Sequence, residues 1–136
     1  MKENPYHQDK EDMRELVKQF QNLKAGRSHS FLDEEAFEKI IDYFDDVEDF
    51  TQALEAAELG AEQFPYSSTL LIKKADLLIA TRQYQEALKI LNHAELLDSN
   101  DINLYITIYN IKEGIIGYLV IKNRLQLRSY DTFQAT

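Results

Sequence analysis

The stretch from Ser67 to Leu97, SSTLLIKKADLLIATRQYQEALKILNHAELL, constrains this chain more than any other. It divides at Thr81-Arg82-Gln83 into two helical patterns. Leu71, Ala75 and Leu78 recur at three- and four-residue spacing and so share one face of the first helix. Tyr84, Ala87, Leu88, Leu91 and Ala94 do the same in the second. Two short amphipathic helices joined by so few residues must lie antiparallel, which makes a helical hairpin. Ala75, Ala87 and Ala94 are the places where the backbones approach closely. One hairpin of this size buries too little apolar surface to stand alone, so the chain should hold more of them.

The flanking sequence supplies them. Residues 9–24 form a helix with an apolar stripe of Leu16, Val17, Phe20 and Leu23, stopped by Gly26. Acidic residues open it and Lys24 closes it, matching the helix dipole. Asp33 caps a helix running to about Asp46, whose face is Phe37, Ile40, Ile41 and Phe44. The next helix runs from about Glu48 to Gln63, with Phe50, Ala53, Leu54, Ala57 and Gly60 inward and Pro65 ending it. Beyond the turn Asp98-Ser99-Asn100-Asp101, a further helix is predicted from Ile102 to about Glu113. Laid over itself at a constant offset, the sequence superposes Phe37, Leu71 and Tyr105, then Phe50, Tyr84 and Tyr118. Phe44 falls on Leu78, Ala53 on Ala87, and Gly60 on Ala94.

A 34-residue period with two helices per unit resembles the tetratricopeptide repeat family. The first unit carries Phe37, Ile41, Phe44, Ala53, Ala57, Gly60 and Pro65 at the family's marked places, and the second carries Leu71, Ala75, Leu78, Ala87, Leu91, Ala94 and Ser99. The third carries Tyr105, Tyr109 and Lys112, then Ile121, Leu125 and Arg128, with Ile121 and Arg128 where small residues are usual. The resemblance implies an all-α fold, an α-solenoid of tetratricopeptide-type hairpins with an extra N-terminal helix. Residues 1–32 would be an arm and capping helix. Residues 33–136 would hold three repeats, at 34–67, 68–101 and 102–135, the last degenerate.

Composition narrows the function. With 44% hydrophobic residues, four Gly and two Pro in 136 residues, the chain reads as a largely helical globular protein. The absence of cysteine excludes a disulfide scaffold and thiolate metal sites. No apolar stretch follows the N-terminus, and the longest apolar run, Ile115 to Ile121, is too short for a bilayer, so a cytoplasmic protein without membrane contact is expected. The net charge of −9 lies entirely in residues 1–60, which hold 16 Asp and Glu against 7 Lys and Arg. That balance argues against nucleic acid, which needs a clustered basic face. His7, His29 and His93 have no metal-ligand spacing, and Gly26, Gly60, Gly114 and Gly117 make no phosphate-cradling loop. The carboxylates of 33–35 and 45–49 sit at helix ends and lack the glycine and spacing of a calcium loop. Neither an enzyme nor a cofactor or metal is expected.

The resemblance implies binding instead, because the first helix of each repeat lines a groove that receives a peptide or helix of another protein. The groove-facing places here are Glu35, Glu38, Asp42 and Asp45, then Thr69, Ile72, Asp76 and Ile79, then Asn103, Ile106, Asn110 and Glu113. One wall is acidic, and Ile72, Ile79 and Ile106 are expected to be exposed, which suits a segment with basic and apolar residues. Members that bind chaperone tails use a basic clamp. Glu38, Asp42, Lys73, Asn103 and Thr107 stand at its places, and only Lys73 is basic, so that clamp is absent. The alternative is a self-assembling structural protein. Leu119, Val120, Ile121 and Leu125 make the C-terminal segment apolar around more than half its turn, as a homo-oligomer contact would require.

Overall fold

The pairing of helices in this protein is set by its turns. The computed structural model describes residues 5–27 and 31–117, which contain helices and short connections and no strand. α1 is Pro5–Lys24, α2 Glu34–Asp46, α3 Phe50–Gln63, α4 Ser68–Ala80 and α5 Tyr84–Leu97, and α6 occupies 102–117. No helix among the described residues is long and apolar enough to cross a membrane.

α2 and α4 end in the same way. Glu48 (φ 60°) and Arg82 (φ 62°) occupy the left-handed region. The Asp49 N–H donates to the Phe44 carbonyl at 2.8 Å and the Gln83 N–H to the Leu78 carbonyl at 2.7 Å. The N–H groups of Glu48 and Arg82 reach the carbonyls of Asp45 and Ile79, each at 3.0 Å. These two bonds satisfy orphan carbonyls at the helix end and reverse the chain at once. Asp49 then opens α3, its Oδ1 accepting from the Gln52 N–H at 3.2 Å. Glu48 is therefore part of the reversal, and α3 begins two residues later than the sequence suggests. The corresponding residue of α6 is Ile116. A β-branched side chain resists the left-handed conformation, and α6 continues as helix through 117 where the sequence led us to expect an end near Glu113.

The packing is organised around α4. Its Leu70 and Leu77 join Phe20, Leu32, Phe37, Ile40, Ile41, Phe44, Ala53, Ala56 and Ala57 in one core cluster. Its Leu71, Ile72, Ala75 and Leu78 join Ala87, Leu91, Ala94, Leu104 and Ile111 in a second. α6 repeats the first of these roles, since Leu104 and Ile111 stand one repeat period after Leu70 and Leu77. It does not repeat the second. Tyr105, Tyr109 and Lys112, expected in the core, are exposed. The buried face of α6 is Leu104, Thr107 and Ile111, with Ile108 and Ile115 half-buried beside them. Leu119, Val120, Ile121 and Leu125, and with them the second half of the expected third repeat, lie outside the described residues.

α1 docks on the first pair through Phe20, which is fully buried with its ring 6.0 Å from that of Phe44. The Lys24 ammonium pairs with Glu55 of α3 at 2.6 Å, and the Gln21 amide bonds to Gln52. This helix starts at Pro5, four residues ahead of the expected start, since proline is well suited to a first helical turn; its first turn carries no acidic residue. Burial of a phenyl ring of this kind makes Phe20→Ala cost about 3–5 kcal/mol.

Gly60 shows how the two helices of a pair meet. A Cβ added there would lie 3.0–3.2 Å from the Phe37 side chain. At the corresponding places α4 and α5 carry the smaller Leu71 and the larger Ala94, both in one core cluster. A bulky ring thus faces glycine and a smaller side chain faces alanine. In Gly60→Ala, helix propensity returns up to about 1 kcal/mol, while overpacking costs about 1–3 kcal/mol. We therefore expect a net loss of stability in denaturant melts, relieved when Phe37→Leu is added. Ala87→Leu lacks such relief and should cost about 1–3 kcal/mol. Additive behaviour of Gly60→Ala and Phe37→Leu would contradict this account.

Candidate functional site

Helix caps bring the candidate residues into register. Ser67 opens α4, its Oγ accepting from the Leu70 N–H at 3.2 Å and donating to Glu34 in the first turn of α2. Asp101 opens α6, its Oδ1 accepting from the Asn103 N–H at 2.9 Å. With their N-termini at one end, α4 and α6 run side by side in the same direction. Thr69, Ile72 and Asp76 of α4 and Asn103, Ile106 and Asn110 of α6 line one cleft of about 290 Å³, together with Lys73, Asp101 and Thr107. Residues spaced by three and four along both helices share this face.

The acidic wall adjoins it on α2. Lys73 of α4 donates to Asp42 at 2.6 Å, so the ammonium in the cleft is already held by one carboxylate. Glu38 and Asp45 stand on either side of Asp42 along α2, and both feel Lys73 and their acidic neighbours. Burial, then the carboxylates around it, raises the Glu38 pKa above its ordinary value against the pull of Lys73. Burial raises Asp45 likewise, with Asp46 and Asp42 adding to it. Asp76 is raised by desolvation in the cleft and by Asp45 across the helix boundary. Its outer surface remains open to solvent. Four carboxylates thus surround one ammonium, and three of them are held in a setting that disfavours their charge.

Not every expected groove residue is part of this arrangement. Glu35 pairs with Lys39 at 3.3 Å and faces a separate hollow beside Leu16 and Phe31. Ile79 packs half-buried against the second core cluster. Ile72, expected to be exposed, is only 5% accessible, because α6 lies over it; Ile106, at 52%, is the open isoleucine of the cleft. Lys73 and Thr107, considered from sequence only as places of the absent clamp, line the cleft as well, and Asp101, the α6 cap, was not expected there. Lys73 and Thr107 are one repeat period apart and occupy corresponding places, which is the signal that pairs them. A larger cavity of about 500 Å³ lies between α1 and α2, lined by Asp9, Lys10, Met13, Arg14, Val17 and Tyr43. It mixes charges of both signs and holds none of the expected groove residues.

The raised carboxylates have a sign that can be tested. A carboxylate whose folded pKa is raised binds its proton more tightly folded than unfolded, so stability falls as pH rises from the ordinary carboxylate range. Removing one such charge should help the fold. Asp76→Asn is expected to melt higher than the parent at pH 7. The two should melt alike at about pH 3, below the ordinary carboxylate range of about 3.9–4.3. A lower melting temperature for Asp76→Asn at pH 7 would contradict the assignment.

Comparison with known proteins leaves the reading to this geometry: no family model, no curated protein and no solved structure matches the chain.

Proposed function

We propose that this chain is an α-solenoid interaction module of tetratricopeptide type, without catalytic activity, whose cleft takes a protein segment carrying basic and apolar residues. The observation that carries the reading is the cleft between α4 and α6, with carboxylates at one wall and Ile106 beside them. A lysine or arginine entering between Glu38, Asp45 and Asp76 relieves the repulsion among them, so the partner supplies what the fold lacks. An aliphatic side chain of the same segment covers Ile106, and the amides of Asn103 and Asn110, two helical turns apart, offer donors and acceptors to its backbone. The tetratricopeptide assignment rests on the 34-residue period, on matching turns at Glu48 and Arg82, and on matching core places in α4 and α6.

The test is titration of a labelled helical peptide bearing arginine and leucine on one face, beside a counterpart with glutamate for arginine. Binding of the basic peptide should weaken at least about tenfold, or ~1.4 kcal/mol, in the Glu38→Lys, Asp42→Lys double variant. It should also weaken as salt rises, and as pH falls toward the carboxylate range, because the bound cation favours the ionised acids. Equal affinity of parent and double variant, or equal affinity for both peptides, would remove the cleft as the binding site.

A further inference from the structure

Lys73 occupies a place where two helices of the same register differ. One repeat period before it stands Lys39 on α2, which pairs at 3.3 Å with Glu35, four residues earlier in its own helix. The residue of α4 that matches Glu35 is Thr69. Without an acid four residues before it, Lys73 reaches across to α2 and donates to Asp42 at 2.6 Å. Glu38 lies four residues before Asp42 and Asp45 three after, so the ammonium meets the middle one of three carboxylates on one face. Asp76, three residues on in α4, brings a fourth. Burial raises the pKa of Glu38, Asp45 and Asp76, and in each case Lys73 is the charge that works against the rise. The lysine is the cleft's own cation.

It is held loosely enough to leave. The side chain of Asp42 is 58% accessible and that of Lys73 27%, and a pair open to water in this way contributes little to stability. Lys73 lines the same cleft as Ile106 and Asn110, so a segment seated there meets the ammonium as well as the carboxylates. A partner's lysine that takes its place at Asp42 exchanges one ammonium for another and gains nothing. One that settles beside it faces a like charge. An arginine differs, because its flat guanidinium carries a fork of N–H donors and can span two neighbouring carboxylates, Asp42 with Glu38 or Asp42 with Asp45.

We propose, on the reading that the cleft takes a basic segment, that Lys73 is its specificity-determining residue: a tethered cation that holds Asp42 in the free protein, yields it to a partner's arginine and disfavours a partner's lysine. The partner is thus an arginine-bearing segment and not a generally basic one. Selection comes from the repulsive element as much as from the attractive one.

The test uses the full chain and two labelled helical peptides of one sequence, with leucine on the binding face and either arginine or lysine beside it. The parent should bind the arginine peptide at least about tenfold tighter, or ~1.4 kcal/mol. Lys73→Met keeps the aliphatic stem and the helix propensity and removes the charge. It should tighten the lysine peptide at least about fivefold more than the arginine peptide. Lys73→Arg should weaken both peptides, because a guanidinium of the chain itself then spans the carboxylates, and it serves as the test if Lys73→Met does not fold. A merely structural ion pair would lower the melting temperature on Lys73→Met and leave the preference between the peptides unchanged. An arginine preference that survives Lys73→Met, equal binding of both peptides by the parent, or undiminished binding by Lys73→Arg overturns the proposal and leaves the cleft as a site for basic segments in general. Binding of neither peptide by the parent removes the cleft as a site for basic segments, and the proposal with it.

Discussion

Each closed pair of helices depends on one left-handed residue. Glu48 and Arg82 adopt a conformation that costs a side-chain-bearing residue roughly 1–2 kcal/mol. The two carbonyl bonds formed around each of them offset that cost, and the burial of two facing helices does the rest. Once the reversal is made, the small residues have their use. Gly60 admits the ring of Phe37, and Ala87 and Ala94 let α5 settle on α4. At Ile116 the same backbone conformation would strain a β-branched residue, and the helix runs on.

The cleft shows a second constraint, in which charge and fold oppose one another. A fold selected for stability alone would not set Glu38, Asp42, Asp45 and Asp76 around a single lysine, with burial raising the pKa of three of them. Asp49 is the contrasting case. Hydrogen bonds from the Gln52 side chain and backbone lower its pKa, as befits a carboxylate that caps a helix. The carboxylates at helix starts serve the backbone, and those along the cleft face outward with their charge only partly matched. Such unmatched charge concentrates at sites of function more often than on inert surface.

Ser67 joins these two constraints. Its hydroxyl caps α4 and bonds to Glu34 at the start of α2, so the cap that starts one helix also ties it to the helix before it. Lys73 and Asp42 make the same link further along the two helices. The relative placement of α2 and α4, and so of the acidic wall, is thus held by polar contacts at the surface and by Leu70 and Leu77 beneath them.

Much of this was legible in the residues. Three- and four-residue spacing placed the helices, since the apolar stripe of an amphipathic helix marks its buried side whatever it packs against. The repeat offset related Gly60 to Ala94 and Phe37 to Leu71, because neighbouring hairpins of one geometry need similar volumes at similar places. Thr69, Asp76, Asn103, Ile106 and Asn110 were assigned to one face by the tetratricopeptide resemblance, with which their three- and four-residue spacing agrees, and they line one cleft. Tertiary structure decided what spacing leaves open, namely which side of each helix has a neighbour. Ile72 is buried because α6 lies over it, while Tyr105 and Tyr109 are exposed because no described helix does the same for α6. Lys73 crossed to Asp42, since an ion pair between two helices depends on a distance that no single helix encodes, whereas the Glu35–Lys39 pair, four residues apart within α2, could be read from spacing. A sequence states which residues share a side of a helix; only the assembled fold states what that side meets.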